Sequence, residues 1–165
     1  KKALFEMTKA AAQKLGAQVV VKGHPFEKRE VLDEEVARWC QGAKITVNEI
    51  PLSQLVFAAD VVVNYPASAS SLDAIYARTP VIIVGPDSEF DRFDRNDDAF
   101  AYRLHGAALC LNLKQDLTAA VRKVLSDKEF KEAQIARGLR FAEKISGPPD
   151  GKAASRIAKL LSDGF

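Results

Sequence analysis

Residues 60–64 read Asp-Val-Val-Val-Asn, and residues 80–85 read Pro-Val-Ile-Ile-Val-Gly. Both runs are short and rich in β-branched side chains, which is typical of strands buried on both faces of a parallel sheet. The residues between them, Ser70 to Ala77, predict a helix. A strand, a helix and a second strand in this order predict a right-handed βαβ unit.

The same alternation extends in both directions from this unit. We expect helices over 3–15 and 27–41, ended by Gly16 and Gly42, and a short helix from Pro51. We expect further strands over 17–22, 43–47 and 107–111, and after Leu113 only helices, over 117–126, 128–144 and 151–162. The fold class is therefore α/β: a single Rossmann-like domain over 1–165, with an open parallel sheet of about five strands flanked by helices. Residues from about 114 to 165 form a helical C-terminal extension.

Composition and charge exclude several classes of protein. Of the 165 residues, 47% are hydrophobic and 28% charged, an ordinary balance for a water-soluble domain. The 24 Lys and Arg residues against 22 Asp and Glu give a net charge of only +2, so no nucleic-acid partner is expected. No apolar run is long enough to span a membrane.

The cysteines bear on the compartment. Cys40 and Cys110 lie in apolar contexts, and their spacing with His24 and His105 fits no zinc pattern. We expect buried free thiols and a cytoplasmic location. Because the sequence opens on Lys1-Lys2 without a Met, we also expect it to be part of a longer protein.

The first candidate binding group follows the first strand, where the chain reads Lys22-Gly23-His24-Pro25. Ligands of open α/β sheets bind at the carboxyl ends of the strands. Because Pro25 follows it, His24 is restricted to an extended conformation, which places it at this rim. There its imidazole can donate to a phosphate oxygen or act as an acid or base. The alternative is a histidine that caps a neighbouring loop.

The second group, Ser68, Ser70 and Ser71, precedes a predicted helix. We expect one serine to be the N-cap, with the other hydroxyls and the helix amides forming an anion site. Capping and turning by all three serines is the alternative. Asp73, in the first turn, either interacts with the helix dipole or accepts hydrogen bonds from a ribose.

Two further segments carry polar side chains. Asn48 and Glu49 follow the second strand and offer a weak signal for contacts to a base. The acidic stretch 87–98 matches no calcium-binding spacing, so we expect a solvated loop that packs on a partner domain rather than a metal site. The sequence has no P-loop, G-x-G-x-x-G or G-x-S-x-G motif, which disfavours P-loop NTPases, dehydrogenases of the usual type and α/β-hydrolases.

Taken together, residues 19–27, 48–64 and 68–82 resemble bacterial capsular polysaccharide glycosyltransferases. The likeness is to the Kdo-transferase-like group and, more distantly, to polysialyltransferases and CDP-glycerol glycerophosphotransferases. It rests on the K-x-H-P segment at 22–25 and on S-x-x-x-L-[DE]-A-x-x-x-x-x-P-V at 68–81, and it covers about half of the chain. In these families both segments line the nucleotide site in the C-terminal domain of a GT-B enzyme.

The resemblance implies a role for each candidate residue. His24 and Lys22 would contact the donor phosphate, with His24 as the catalytic group. The three serines would hold the phosphate or the leaving oxygen, Asp73 would bind the ribose, and Asn48 and Glu49 would lie near the base. No metal is implied, and the donor would be a CMP-, CDP- or UDP-linked sugar.

The resemblance also implies missing parts. A glycan or lipid-linked acceptor would bind to an N-terminal domain, any strand before Lys1 would be absent, the last helix would cross back to that domain, and the full-length protein could associate with the inner face of the membrane. The sequence departs from the family pattern at Asp73, where Glu is commoner, at Arg78-Thr79 in place of Gly-Lys, and at 65–67. Two rivals stay open: a nucleotide-sugar epimerase of the same architecture, and a non-catalytic module that binds an anion or a protein partner.

Overall fold

The computed structural model describes residues 1–47, 49–66 and 68–163. Strands and helices alternate through its first two thirds. The strands are β1 (Val20–Lys22), β2 (Lys44–Thr46), β3 (Val62–Asn64), β4 (Val81–Val84) and β5 (Leu109–Leu111). The helices are α1 (Lys2–Leu15), α2 (Arg29–Trp39), α3 (Leu52–Ala58), α4 (Ser70–Tyr76), α5 (Asp87–Asn96), α6 (Leu117–Ser126), α7 (Lys128–Ser146) and α8 (Ala153–Ser162). The predicted α/β class is confirmed. β4 has its predicted length, and the other four strands are shorter than predicted.

All strand pairs are parallel, but the strands form two sheets. β1 pairs with β2, aligning Val20 with Lys44, and a separate sheet has the order β3-β4-β5. The expectation of a single sheet with about five strands is therefore wrong. Within the described residues, β1 and β3 each pair with a strand on one side only.

The second sheet is organised around β4, whose four residues are each at most 1% exposed. Successive residues of a strand point to opposite faces. Ile82 and Val84 accordingly pack against α1 and α6, whereas Val81 and Ile83 pack against α3, α4 and α7. The continuous apolar run that predicted a strand buried on both faces is thus the centre of this sheet.

The first sheet has a smaller core of its own. Leu32 and Val36 of α2 pack against β1 and β2 together with Phe5 of α1, whose ring stacks on Trp39 at a centroid distance of 6.5 Å. Since Leu4, Met7 and Ala11 of the same helix pack on the second sheet, α1 holds the two sheets together.

The C-terminal helices differ in how they are anchored. The side chains of Asp116 and Asp127 cap α6 and α7 by accepting backbone N–H groups, and both helices contribute to the cores. α8 buries none of its residues, and Ile157, Leu160 and Leu161 are more than half exposed. None of the described helices is both long enough and apolar enough to cross a membrane.

Most of the acidic stretch 87–98 is the helix α5 (Asp87–Asn96), so the expectation of a solvated loop is wrong. Phe90 and Phe93 are 3% and 4% exposed and fasten the helix to the core. Two of its carboxylates, Asp91 and Asp94, pair with Arg103 at 2.6 Å each. Asp97, directly after the helix, lies 2.5 Å from His105 Nε2 and pairs with Lys144 of α7 at 2.5 Å. The prediction of a loop relied on the many acidic residues and overlooked the i, i+3 spacing of the two phenylalanines, which is typical of a helix.

The helix α4 ends in a strained turn. Arg78 has a φ of 60° and is exposed. The left-handed conformation costs a residue other than glycine about 1–2 kcal/mol. A glycine avoids this cost, but it raises the entropy of the unfolded chain and thereby lowers stability by about 0.4–1 kcal/mol.

We therefore expect Arg78→Gly to raise the free energy of unfolding by about 0.5–1 kcal/mol in urea titrations. The matched control is Ala77→Gly, one residue earlier, where φ is −71°. That control should lower stability by about 0.5–1 kcal/mol. Equal effects of the two substitutions would contradict strain at residue 78.

Candidate functional site

The structure places His24 at the carboxyl end of β1, on an exposed turn. The turn is close to α2, because a Cβ on Gly23 would lie 2.7 Å from the Leu32 side chain. The backbone N–H of Phe26 donates to His24 Nδ1 at 3.3 Å. In a neutral imidazole the other nitrogen then carries the proton, and within the described ranges Nε2 has no partner. His24 therefore presents an N–H donor to solvent at the rim where ligands of α/β sheets bind.

Two charged residues flank this turn. Glu27 accepts the backbone N–H of His24 at 3.3 Å and pairs with Lys1, so it fixes the loop. Lys22, the last residue of β1, lies opposite Thr46 of β2. Its ammonium group pairs with no carboxylate of the residues described, which leaves it open to an anion.

Both carboxylate oxygens of Glu49 are bonded to nearby protein groups. Its Oε2 accepts from Thr46 Oγ1 at 2.9 Å and from the Val47 N–H at 2.6 Å, and Oε1 pairs with Arg29. Hydrogen bonds from the backbone N–H groups of Glu49 itself and of Val47, with a smaller contribution from Thr46, stabilise the carboxylate and lower the pKa of Glu49 to about 2. The other predicted residue of this loop, Asn48, lies outside the described residues.

The three serines lie together at the carboxyl end of β3, as the sequence predicts. Ser68 Oγ and Ser70 Oγ are 2.5 Å apart, and Asn64 Nδ2 donates to Ser70 Oγ at 3.1 Å and to Ser71 Oγ at 2.9 Å. Ser71 is fully buried, whereas Ser68 and Ser70 are partly exposed. The cluster of Asn64, Ser68, Ser70 and Ser71, called the hydroxyl cluster below, thus has one buried and two partly exposed serines at this end of the sheet.

The expectation of a serine N-cap is wrong. The N-cap of α4 is Ala69, which offers no side-chain oxygen, and the N–H groups of Ser71 and Leu72 donate to Ser68 O and Ala69 O. The hydroxyls are held by Asn64 instead of by the helix amides. The sequence signal for Asn64 was an amide side chain ending an apolar strand just before the serines.

Tyr102 is bonded to the backbone of the hydroxyl cluster. Sequence reasoning missed this residue. Its hydroxyl donates to the Ser68 carbonyl at 3.3 Å, across 34 residues of sequence. The ring is 1% exposed and packs edge-on against Phe141 at a centroid distance of 5.1 Å, and burial raises the pKa of the phenol. Nothing in the local sequence around residue 102 marks this contact.

A close backbone approach fixes the entry to the serine turn. A Cβ on Gly85, directly after β4, would lie 2.1 Å from the Pro66 ring. Only glycine leaves space for the proline, so the strand ends of β3 and β4 are locked to each other here.

Asp73 lies in the first turn of α4 and is exposed. In the described part of the chain its carboxylate accepts no hydrogen bond, and partial burial raises the pKa of this carboxyl. An acceptor that is open and not satisfied by the protein suits the binding of hydroxyl groups from a ligand.

The His24 turn and the hydroxyl cluster belong to different sheets. No hydrogen bond joins them in the parts of the chain described. A cleft of about 380 Å³ lies instead at the opposite ends of β1 and β2 and includes Gly16, Val19, Cys40, Gly42 and Lys44. The carbonyl ends of α1 and α2 border it, and their negative dipole ends disfavour phosphate, so the carboxyl-end rim is the better anion site.

Comparison with known proteins gives structures but no close sequence relatives: no family model and no curated protein matches the chain. The spinosyn forosaminyltransferase SpnP superposes with a TM-score of 0.62 at 19% identity, over 98% of this chain and 39% of that chain. The glycosyltransferase SnogD from Streptomyces nogalater gives a TM-score of 0.59 at 19% identity, over 95% of this chain and 39% of that one.

These comparisons define the class of fold. The chain has the fold of a GT-B glycosyltransferase half-domain and spans 39% of the length of these two neighbours. The predicted GT-B half-domain is confirmed at this level. The capsular subgroup, the donor and the roles of single residues stay predictions.

The pKa of Glu49 gives a prediction about acid stability. A carboxyl whose folded pKa is lowered stabilises the fold fully above its unfolded pKa of 4.5, and this contribution is lost as the pH falls toward about 2. We expect Glu49→Gln to lose stability relative to the parent at pH 6, and the difference to shrink between pH 4.5 and about pH 2 in urea titrations. Glu34→Gln, at an exposed position of α2, is the control. A Glu49 difference independent of pH would contradict the hydrogen-bonded carboxylate.

Asn64 gives a prediction about the hydroxyl cluster. Asn64→Ala removes the donor to the buried Ser71 hydroxyl, so we expect unfolding to become easier by about 1–3 kcal/mol. The matched control is Asn112→Ala, because Asn112 follows β5 but donates to the exposed Asp87 at 3.2 Å. That control should lower the free energy of unfolding by less than about 1 kcal/mol. A similar loss in both variants would show that the bonds of Asn64 to the buried serine stabilise the fold no more than an exposed hydrogen bond does.

Proposed function

We propose that this chain is the donor-binding half of a glycosyltransferase that builds capsular or other surface polysaccharides from nucleotide sugars. The observation that carries the proposal is the state of His24. Its Nδ1 is occupied by the Phe26 N–H, so a proton-bearing Nε2 faces solvent at the carboxyl end of a strand in a GT-B half-domain.

The chemistry required of such a site is the binding of a departing nucleotide phosphate. His24 Nε2 and the ammonium of Lys22 supply a hydrogen-bond donor and a positive charge on the β1 side. Ser68 and Ser70 supply partly exposed hydroxyls on the β3 side. Donors positioned before the reaction stabilise charge that develops in the transition state, and losing one typically costs about 2.7–4 kcal/mol of the barrier.

The remaining roles follow the chemistry of a nucleoside. Asp73 accepts hydrogen bonds from the ribose hydroxyls, since its carboxylate is otherwise unsatisfied in the described structure. Glu49 acts indirectly, holding the loop after β2 rather than reaching the base, because both its oxygens are bonded. The donor is a CMP-, CDP- or UDP-linked sugar, bound without a metal cofactor.

The activity requires a second domain. The chain spans 39% of the length of its structural neighbours, and in the proposed protein an N-terminal domain holds the glycan or lipid-linked acceptor. On this proposal the present chain alone binds the donor without transferring sugar, and the full-length protein works in the cytoplasm, at the inner face of the membrane.

The proposal is tested by thermal unfolding of the chain with CMP, CDP, UMP, UDP and inorganic phosphate. A ligand at about 100 times its Kd adds about 2.7 kcal/mol, which raises the Tm of a chain of this size by about 5–10 °C. We expect one of the pyrimidine nucleotides to give such a shift and phosphate alone to give less.

Two histidine variants make the test specific. His24→Ala should abolish the nucleotide-induced shift, whereas His105→Ala, which removes a side chain bonded to Asp97 before the amino end of β5, should keep it even if its own Tm changes. A shift that survives His24→Ala, or an equal shift with phosphate and every nucleotide, contradicts the proposed donor site and favours a simple anion-binding module.

A further inference from the structure

Phe26 is the most exposed large hydrophobic residue in the described part of the chain, with 93% of its surface open to solvent. It belongs to none of the three hydrophobic clusters that the described residues form. Burial of a phenylalanine stabilises a fold, and Phe26 gains almost nothing from burial. Single exposed apolar side chains are common on protein surfaces, so exposure alone assigns this residue no function.

The position of the Phe26 ring is more informative. Its centroid lies 5.3 Å from that of the His24 imidazole, and the two ring planes are inclined by 47°. This separation is typical of an aromatic pair. Because Phe26 remains 93% exposed, the imidazole covers only a small part of the ring. An open apolar surface therefore stands directly beside the proposed phosphate ligand.

A hydrogen-bonded turn holds the two rings next to each other. Glu27 N–H donates to His24 O at 2.8 Å, which closes a β-turn with Pro25 and Phe26 at its two central positions. Pro25 has a fixed φ, and Phe26 N–H donates to His24 Nδ1 at 3.3 Å. The backbone of Phe26 is thus held before any ligand arrives, and such preorganisation lowers the entropic cost of binding.

The base of the proposed nucleotide needs a binding surface that the loop after β2 does not supply through Glu49. Both oxygens of that carboxylate are bonded within the protein. The loop leaves the sheet beside the His24 turn, since Gly23 N–H donates to Thr46 O at 2.9 Å. An aromatic ring binds a base through its π face and requires no free hydrogen-bonding group. Phe26 offers such a ring at this place.

We infer that Phe26 is the stacking platform for the pyrimidine base of the nucleotide whose phosphate contacts His24. One ribose separates the phosphate from the base in a nucleotide, so a ligand bound at His24 Nε2 brings its base within reach of a ring 5.3 Å from the imidazole. The inference rests on the proposed function, because it requires a nucleotide at this rim. Stacking tolerates every base, so Phe26 supplies affinity, and the choice between cytosine and uracil depends on other groups.

The test compares dissociation constants of the chain for CMP, CDP, UMP and UDP with that for ribose 5-phosphate, a probe that lacks a base. Phe26→Ala should weaken the binding of the nucleotides that the parent chain binds by about five- to a hundredfold and change the Kd of ribose 5-phosphate by less than about twofold. Phe26→Trp should retain nucleotide binding, because an indole ring also stacks.

Proton NMR of the bound nucleotide gives a direct readout of stacking. The ring current of Phe26 should shift the protons of the bound base upfield with the parent chain, and Phe26→Ala should abolish this shift. The matched control is Phe57→Ala. Phe57 is 73% exposed, but it lies at the end of α3 that leads into the amino end of β3, so its removal should change neither the Kd values nor the upfield shift.

The outcomes separate this inference from the proposed function. Equal nucleotide binding by the parent and by Phe26→Ala, with binding lost in His24→Ala, overturns the stacking role and leaves the donor site standing. An equal loss of nucleotides and ribose 5-phosphate in Phe26→Ala also overturns it, by showing that the ring only holds the His24 turn in place. A parent chain that binds none of the four nucleotides overturns the inference together with the proposed function.

Discussion

The burial of β4 on both faces is the constraint on which the rest of the structure depends. Val81 to Val84 supply alternate side chains to two separate cores, one under α1 and α6 and the other under α4 and α7. Buried polar groups secure the amino end of the strand: Gln134 Nε2 donates to Val81 O at 2.8 Å, and Thr79 Oγ1, two residues earlier in the chain, donates to Val56 O at 2.6 Å. Leaving these buried donors without partners would destabilise the fold, so the two bonds fix where β4 begins, although Gln134 Oε1 is itself buried without a partner in the described residues.

The position of β4 determines the geometry of the hydroxyl cluster. Asn64 lies opposite Ile83 in the register of β3 with β4, and Gly85 admits the ring of Pro66 just before the serine turn. The cluster is thus held by a parallel ladder on one side and by the buried Tyr102 on the other. Polar groups on such a rigid support keep their positions without a ligand, which lowers the entropic cost of binding.

Sequence reasoning succeeded where local pattern decides structure and failed where distant contacts do. The apolar period predicted the strands and most helices, and strand ends predicted where His24 and the serines lie. It missed α5, in which Asp91 and Asp94 pair with Arg103 from later in the chain. Three features depend on side-chain hydrogen bonds that the spacing of residues in the sequence does not predict. They are the roles of Asn64 and Tyr102 in the hydroxyl cluster and the bonding of Glu49 within its loop.

The division into two sheets has a consequence for binding. The His24 turn belongs to a unit joined to the rest chiefly through α1, by Phe5 and by Lys1, whereas the hydroxyl cluster belongs to the unit around β4. A phosphate contacted by both groups requires a fixed spacing between β1 and β3. The apparent affinity for a ligand is lower when a smaller fraction of the molecules has the arrangement that can bind it. The proposed nucleotide site therefore depends on how firmly α1 holds the two units together.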